Sequence, residues 1–232
     1  MKSGLIGYGY WGRILHSKLN DCIISPPYDG VDWIFVATPP TSHYNIVKEY
    51  LKKGKNVFCE KPLTLDINQT RELIDLSTSL NKKLYIDNLF LLRNEIKSFN
   101  LIPKKTIEFS WYKNGPFNDN ILNDLLYHDM YLIIHFMGVS VVENLKIIKN
   151  TYNRFESSFI YKDILIKIDY DREYHGNKTK IIKIDDYILD LSNPTNDPLQ
   201  ESIQLCFENK IDYINNHNVT LETEKLLTYF YD

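Results

Sequence analysis

Gly7-Tyr8-Gly9-Tyr10-Trp11-Gly12 has the spacing G-x-G-x-x-G, and it lies between an apolar run at residues 2–6 and a helical pattern that begins near Trp11. In that setting each glycine has its own task. The first permits a tight turn, the second lets the backbone approach a pyrophosphate, and the third lets the helix pack on the strand. The N–H groups at the helix start then point at the anion. A second group sits on an otherwise apolar helical segment at residues 121–137, where Asp124, His128, Tyr131 and His135 recur at spacings of four, three and four. That draws one polar stripe along the helix. A buried helix does not carry such a stripe unpaired, so it is expected to face a cleft or a polar partner. A solvated face is the ordinary alternative, and His135 is read that way. Lys61 stands between the apolar run 56–59 and Pro62, at the C-terminal strand edge where open α/β sheets place their ligands. A lysine and a histidine near a carboxylate suit proton transfer during hydride exchange with a carbinol, because burial and neighbouring charge bring their pKa values toward neutrality. His128 or Lys61 is the expected acid/base, with Asp124 orienting them and offering the substrate a hydrogen bond.

The elements that position these groups follow from patterning. Apolar runs at residues 2–6, 32–37 and 56–59 alternate with helical patterns starting near Trp11 and Ser42, and a further helix at 66–80 leads to the run 83–86. This order predicts βαβ units and a parallel sheet ending near Asn88. From Lys105 the pattern becomes strand-rich, at 106–111, 145–149, 157–161, 164–170, 180–184 and 187–191, around the one long helix at 121–137. That predicts a mainly antiparallel sheet with helices on one face. Pro194 and Pro198 introduce two closing helices, at about 199–216 and 221–231. The fold class is therefore α/β: a truncated Rossmann-type sheet in residues 1–88, followed by an α+β domain in residues 89–232 that carries substrate and oligomer contacts.

The truncation is read from what is missing. A dinucleotide site places a carboxylate for the ribose hydroxyls at a strand end about 20 residues past the glycine turn. Here that count lands on Asp29, inside a Pro-Pro-Tyr-Asp-Gly turn, and on Asp32, which opens the next strand. Both are better explained as structural residues. Only a stub at residues 22–25 fits between the first helix and Asp32, so one βα unit is absent.

The 27 basic and 30 acidic residues give a net charge of -3 with no long block of either sign, which leaves no electrostatic footprint for nucleic acid. The longest apolar stretch, residues 132–142, is interrupted by His135 and is too short to span a bilayer. The expectation is a cytoplasmic protein without an export signal or membrane contact. Cys22, Cys59 and Cys206 are widely separated and lack metal-ligand spacing, as reduced packing thiols do.

Three further segments carry a family likeness: Ala37-Thr38-Pro39-Pro40-Thr41-Ser42-His43, Glu60-Lys61-Pro62 and Asp124-Leu125-Leu126-Tyr127-His128. With the glycine turn, their order and spacing resemble the Gfo/Idh/MocA oxidoreductases over nearly the whole chain, including the closing Asp197-Pro198-Leu199 helix. The segment around Gly9-Tyr10-Trp11-Gly12 is similar to the nucleotide-sugar dehydrogenase branch. The resemblance implies NAD or NADP held by Gly7, Tyr8, Gly9, Tyr10, Trp11, Gly12, Ala37, Thr38, Pro39, His43, Glu60 and Lys61. It places Thr38, Pro39 and His43 beside the nicotinamide ribose, points Lys61 at the substrate, and completes the catalytic group with Asp124 and His128. Three positions depart from the family's pattern: Asn118-Asp119-Asn120 replaces a glycine-rich lead-in, Leu126 replaces a common glycine, and Tyr131 replaces a frequent acid.

The resulting expectation is an NAD(P)-dependent dehydrogenase or reductase acting on a hydroxyl or keto group of a sugar or nucleotide-sugar. It needs no metal and works as a homo-oligomer. The alternatives are a degenerate binding or scaffolding member whose trimmed site no longer turns over, and a glycosidase of the same fold that uses bound NAD for a transient oxidation.

Overall fold

The computed structural model describes residues 1–114 and 120–231, so Asn118 and Asp119 of the lead-in lie outside the described residues. In chain order the first elements are β1 (Ser3–Ile6), α1 (Tyr10–Lys18), β2 (Cys22–Ile23), β3 (Trp33–Val36), α2 (Pro40–Lys52), β4 (Asn56–Cys59), α3 (Ile67–Ser79) and β5 (Leu84–Ile86). They are followed by α4 (Asn94–Lys97), β6 (Thr106–Tyr112), a π-helical turn (Leu122–Leu126), α5 (Tyr127–Met137), β7 (Glu143–Asn150) and β8 (Arg154–Tyr161). The remainder comprises β9 (Ile164–Asp171), β10 (Thr179–Ile184), β11 (Tyr187–Asp190), α6 (Pro198–Phe207) and α7 (Tyr213–Leu227). Two compact units result: Met1–Leu89 with Pro198–Glu224, and Phe90–Asp197 with Lys225–Asp232.

In the first unit five parallel strands run in the order β2-β1-β3-β4-β5. Their residues are apolar on both faces because helices cover both faces. Ile34, Val36, Val57 and Ile86 meet Val47, Leu51 and Leu73 on one side. On the other, Phe35, Phe58 and Tyr85 form a row with ring centroids 4.9 and 5.1 Å apart, packed with Leu15 of α1 and Leu199, Ile203 and Cys206 of α6. The outer edge of β5 is closed by a side chain instead of a strand. Asn216 of α7 accepts the Ile86 N–H at 3.0 Å and donates to the Ile86 carbonyl at 2.8 Å, which mimics a ladder partner.

The opposite edge shows the predicted truncation. β2 pairs with β1 only at Ser3 and Gly4, whereas β1 pairs with β3 along its whole length. The Leu5 carbonyl, beyond the reach of β2, accepts the Tyr28 hydroxyl at 3.0 Å, so the Pro-rich turn supplies the hydrogen bond that a longer strand would give. The closing helices differ from the expected ranges. Asn209 takes the left-handed conformation at φ 56° after α6, and the Asp212 carboxylate accepts the Asn215 N–H at 3.0 Å to start α7. The break therefore falls at residues 208–212, at an asparagine that tolerates positive φ and an aspartate that caps.

The second unit carries a six-stranded sheet in the order β11-β10-β6-β9-β8-β7, antiparallel except for the β6–β9 pair. Alternation holds along the central strands, with Ile107, Phe109 and Trp111 of β6 and Ile166, Ile168 and Tyr170 of β9 buried. Of α5, residues 127–134 are buried on every side, as a helix with an almost continuous apolar sequence must be. No helix among the described residues is long and apolar enough to cross a membrane.

Candidate active site

At the C-terminal end of β1 two of the three glycines are dictated by the protein itself. Gly7 has φ +96°, and a Cβ there would stand 2.4 Å from the Ala37 carbonyl oxygen and 2.9 Å from Thr38 Cγ2. At Gly12 a Cβ would stand 1.9 Å from the Gly7 oxygen. Gly9 is different: a Cβ there meets nothing within 4 Å. The chain does not need glycine at position 9 for its own packing, whereas a pyrophosphate lying on the backbone would. The start of α1 carries no side-chain cap and no acid in its first turn, so its leading N–H groups are of the kind an anion takes up. The Trp11 indole N–H is buried and meets no acceptor among the described residues. Tyr8 and Tyr10 are exposed.

The ends of β3 and β4 join this turn. Thr38 Oγ1 accepts the Ser42 hydroxyl at 2.7 Å, which folds the Thr38-Pro39 segment onto α2. His43 is fully buried, with Nδ1 2.9 Å from the Pro62 carbonyl and Nε2 2.8 Å from the Thr38 carbonyl. It ties the Thr38 segment to the Lys61-Pro62 turn. Glu60 directly follows β4, its Oε1 buried and without a hydrogen bond among the described residues. Burial and the neighbouring Asp87 push its carboxyl well above the usual range. Asp87, just past β5, is pushed up to about 7 by burial, while Ser202 and the Lys61 charge pull it back part of the way. The sequence reading passed over Asp87, although an acid directly after a buried strand at the ligand-binding edge is a visible signal.

Asp124 and His128 belong to the second unit, Lys61 to the first. Asp124 lies in the π-helical turn and accepts the Arg172 guanidinium at 2.8 Å, with Lys113 3.6 Å from the same oxygen. One helical step further, His128 is 9% exposed, its Nδ1 2.8 Å from the Tyr131 hydroxyl oxygen. Phe90 and Trp111 pack on its ring. Beside it Asp129 forms a buried pair with Lys180 and accepts the Tyr170 hydroxyl at 2.6 Å. Burial raises the Asp129 carboxyl and lowers the Lys180 amine, against the pull of their contact. Neither Arg172 nor Lys180 was singled out in the sequence. Lys180 shares the inward parity of Ile182 and Ile184, which marked it as a buried charge in search of a partner. Among the described residues no cluster of three or more His, Cys, Asp or Glu could hold a metal ion.

The sequence profile of GFO_IDH_MocA, described as "Oxidoreductase family, NAD-binding Rossmann fold", matches residues 17–88. YhhX of Escherichia coli, an oxidoreductase by name, is 30% identical over 196 residues, covering 72% of this chain and 56% of that protein. An inositol 2-dehydrogenase of Rhodococcus jostii is 38% identical over 72 residues, 31% of this chain and 19% of that one. The chain thus spans less than two thirds of the length of these relatives. In fold it is similar to the WlbA (WbpB) dehydrogenase of Thermus thermophilus, in a structure with NAD and UDP-GlcNAcA. The TM-score is 0.82 at 13% identity, over 100% of this chain and 95% of that one. The parallel sheet with its glycine turn, the mainly antiparallel second sheet and the matched segment agree, and residues 17–88 carry the match to the Gfo/Idh/MocA oxidoreductase family.

Proposed function

We propose that this protein is a nicotinamide-dependent oxidoreductase acting on a hydroxyl or keto group of a sugar or nucleotide-sugar. The observation that carries the reading is Gly9, a glycine the chain's own packing does not require, set at an uncapped helix start between two glycines it does require. Those residues fit a dinucleotide: the start of α1 would take the pyrophosphate, and Thr38, Pro39 and Glu60 at the neighbouring strand ends would take the ribose beyond it. When bound, a nicotinamide supplies the hydride chemistry. The protein's part is to hold the sugar and move the hydroxyl proton, for which Lys61 and His128 are the candidates and Asp124 the orienting carboxylate. The substrates named for the relatives, inositol and a UDP-sugar, favour a polyol or sugar ring.

A second reading has its own observation. The residues directly after β2 are Ile24, Ser25 and Pro26, with no carboxylate for the adenosine ribose, and this favours a member of the family that binds without turning over. Dinucleotide released on denaturing the purified protein, together with nicotinamide reduction on a panel of polyols and UDP-sugars, tests both. Turnover that falls roughly 10²–10⁴-fold in Lys61→Ala supports the enzyme. Bound dinucleotide with no turnover on any of them supports the binding protein, and no bound or bindable dinucleotide overturns both.

A further inference from the structure

Glu60 and Asp87 are neighbours across the parallel sheet. The β4–β5 register pairs Cys59 with Ile86, the Asp87 N–H donates to the Cys59 carbonyl at 3.0 Å, and the two acids follow at the C-terminal ends of their strands. Asp87 is 1% exposed, and neither of its carboxyl oxygens nor Glu60 Oε1 has a hydrogen bond among the described residues. Carboxyls buried in this way resist ionisation until a counter-charge reaches them. The groups around Asp87 are Glu60 and Lys61 beyond β4, Tyr85 on its own strand, and Ser202 and Cys206 of α6, all in the first unit. Cys206, and Cys59 beside Glu60, are thiols that burial keeps neutral. Lys61 brings a positive charge, yet Asp87 still titrates at about 7 and Glu60 well above its usual range. A further cation would complete the pair.

The topology says which half of a dinucleotide brings one. Strand order β2-β1-β3-β4-β5 reverses between β1 and β3, and the crevice there divides the sheet into two mononucleotide halves. The glycine turn after β1 takes the pyrophosphate and the β2 side takes the adenosine ribose, which leaves the nicotinamide to the half built from β3, β4 and β5. Its ring is a cation when oxidised and neutral when reduced.

We propose that Glu60 and Asp87 form a counter-charge site for the oxidised nicotinamide, so that the protein takes up the oxidised cofactor with release of a proton and the reduced cofactor without one. This rests on the oxidoreductase reading above and deepens it by naming the cofactor form the site favours. On binding, the carboxyl O–H bond of Asp87 breaks, its electron pair stays on the carboxylate and the proton leaves to the buffer. One more negative charge then faces one more positive charge.

The test is calorimetric titration of the full chain with NAD and with NADH at pH 7, each in PIPES and in imidazole, whose ionisation heats differ. The difference in binding heat between buffers counts the protons released. The expected result is roughly half a proton with NAD and none with NADH, since a nearby opposite charge ionises a carboxyl that is half protonated at that pH. NAD should bind about tenfold or more tightly than NADH. In the Glu60→Gln/Asp87→Asn double variant both the proton and the preference should disappear. Equal proton release with the two forms overturns the proposal, as does a preference and a proton that persist in the double variant. If that variant does not fold or bind, the wild-type comparison of the two forms decides alone. Failure to bind either form overturns the oxidoreductase reading itself, whereas binding of both without a difference overturns only the counter-charge site.

Discussion

The Arg172 guanidinium, its side chain wholly out of water, donates to the Asp124 carboxylate at 2.8 Å, while Asp124 itself is 29% exposed. The arginine is the buried member, and the aspartate sets a counter-charge beside it. Asp124→Asn keeps the shape and removes the charge. It should lower stability by about 1.5–3 kcal/mol, the range for a hydrogen bond to a charged group, read as a lower urea midpoint with an unchanged slope. Because the guanidinium is shielded, high salt should leave the loss nearly intact. A loss that salt abolishes would show a surface pair.

Stability should fall as pH rises from mildly acidic to mildly alkaline. Burial pushes Asp87 up to about 7 and Glu224 up to about 8. Both folded values lie above the unfolded ones, ~4 for such acids, so the folded state keeps protons that the unfolded state has lost. The resulting penalty begins above the unfolded values and is complete once pH passes the folded ones. Asp87→Asn and Glu224→Gln should each flatten this fall and raise stability at about pH 9 by on the order of a few kcal/mol. Urea titrations across the range check it, and a wild-type profile that rises through that window would be the wrong sign.

The three glycines should separate folding from binding. Gly9→Ala meets open space and should leave the melting temperature unchanged while dinucleotide affinity drops about tenfold or more. Gly12→Ala drives a methyl into the Gly7 carbonyl and should cost about 1–3 kcal/mol or prevent folding. Calorimetric titration beside a thermal melt distinguishes the two effects.

Cofactor preference should be weak and correctable at one position. Residues 24–31 offer neither a carboxylate at the strand end nor a basic side chain for a 2′-phosphate. NAD and NADP should therefore bind within roughly tenfold of each other, about 1.4 kcal/mol. Ile24, 44% exposed directly after β2, can accept a carboxylate without disturbing the core. Ile24→Asp should strengthen NAD and weaken NADP, each by about tenfold. A strong native preference in competition titrations would mean that other residues read the adenosine ribose.

Most of the first unit was legible because its signals are local. Four buried residues in a row at Trp33, Ile34, Phe35 and Val36 say parallel strand, and the glycine spacing says turn. The shortened β2 could be inferred by counting residues. What stayed hidden depends on partners far apart in sequence or on a change of helical pitch. Arg172 reads as a charge trailing a strand until Asp124, 48 residues earlier, is found beside it. The polar stripe was drawn with the period of an α-helix, but Leu122–Leu126 winds as a π-helix, so that period does not run unbroken from Asp124 to His128. His43 was assigned by resemblance to the cofactor's surroundings, and no local pattern told that both its ring nitrogens face backbone carbonyls.

The discontinuity of the first unit has a consequence for how the chain is made. Phe35, Phe58 and Tyr85 leave the ribosome well before Leu199, Ile203 and Cys206, which cover them. A nascent chain stalled anywhere between the two sets carries a finished parallel sheet order with one greasy face open to water, a state that chaperones bind and that aggregates if they do not. Premature stops in the second half of the message should therefore be lost as insoluble product instead of yielding a working nucleotide-binding fragment, and the late helix α6 acts as the seal on a part of the molecule translated first.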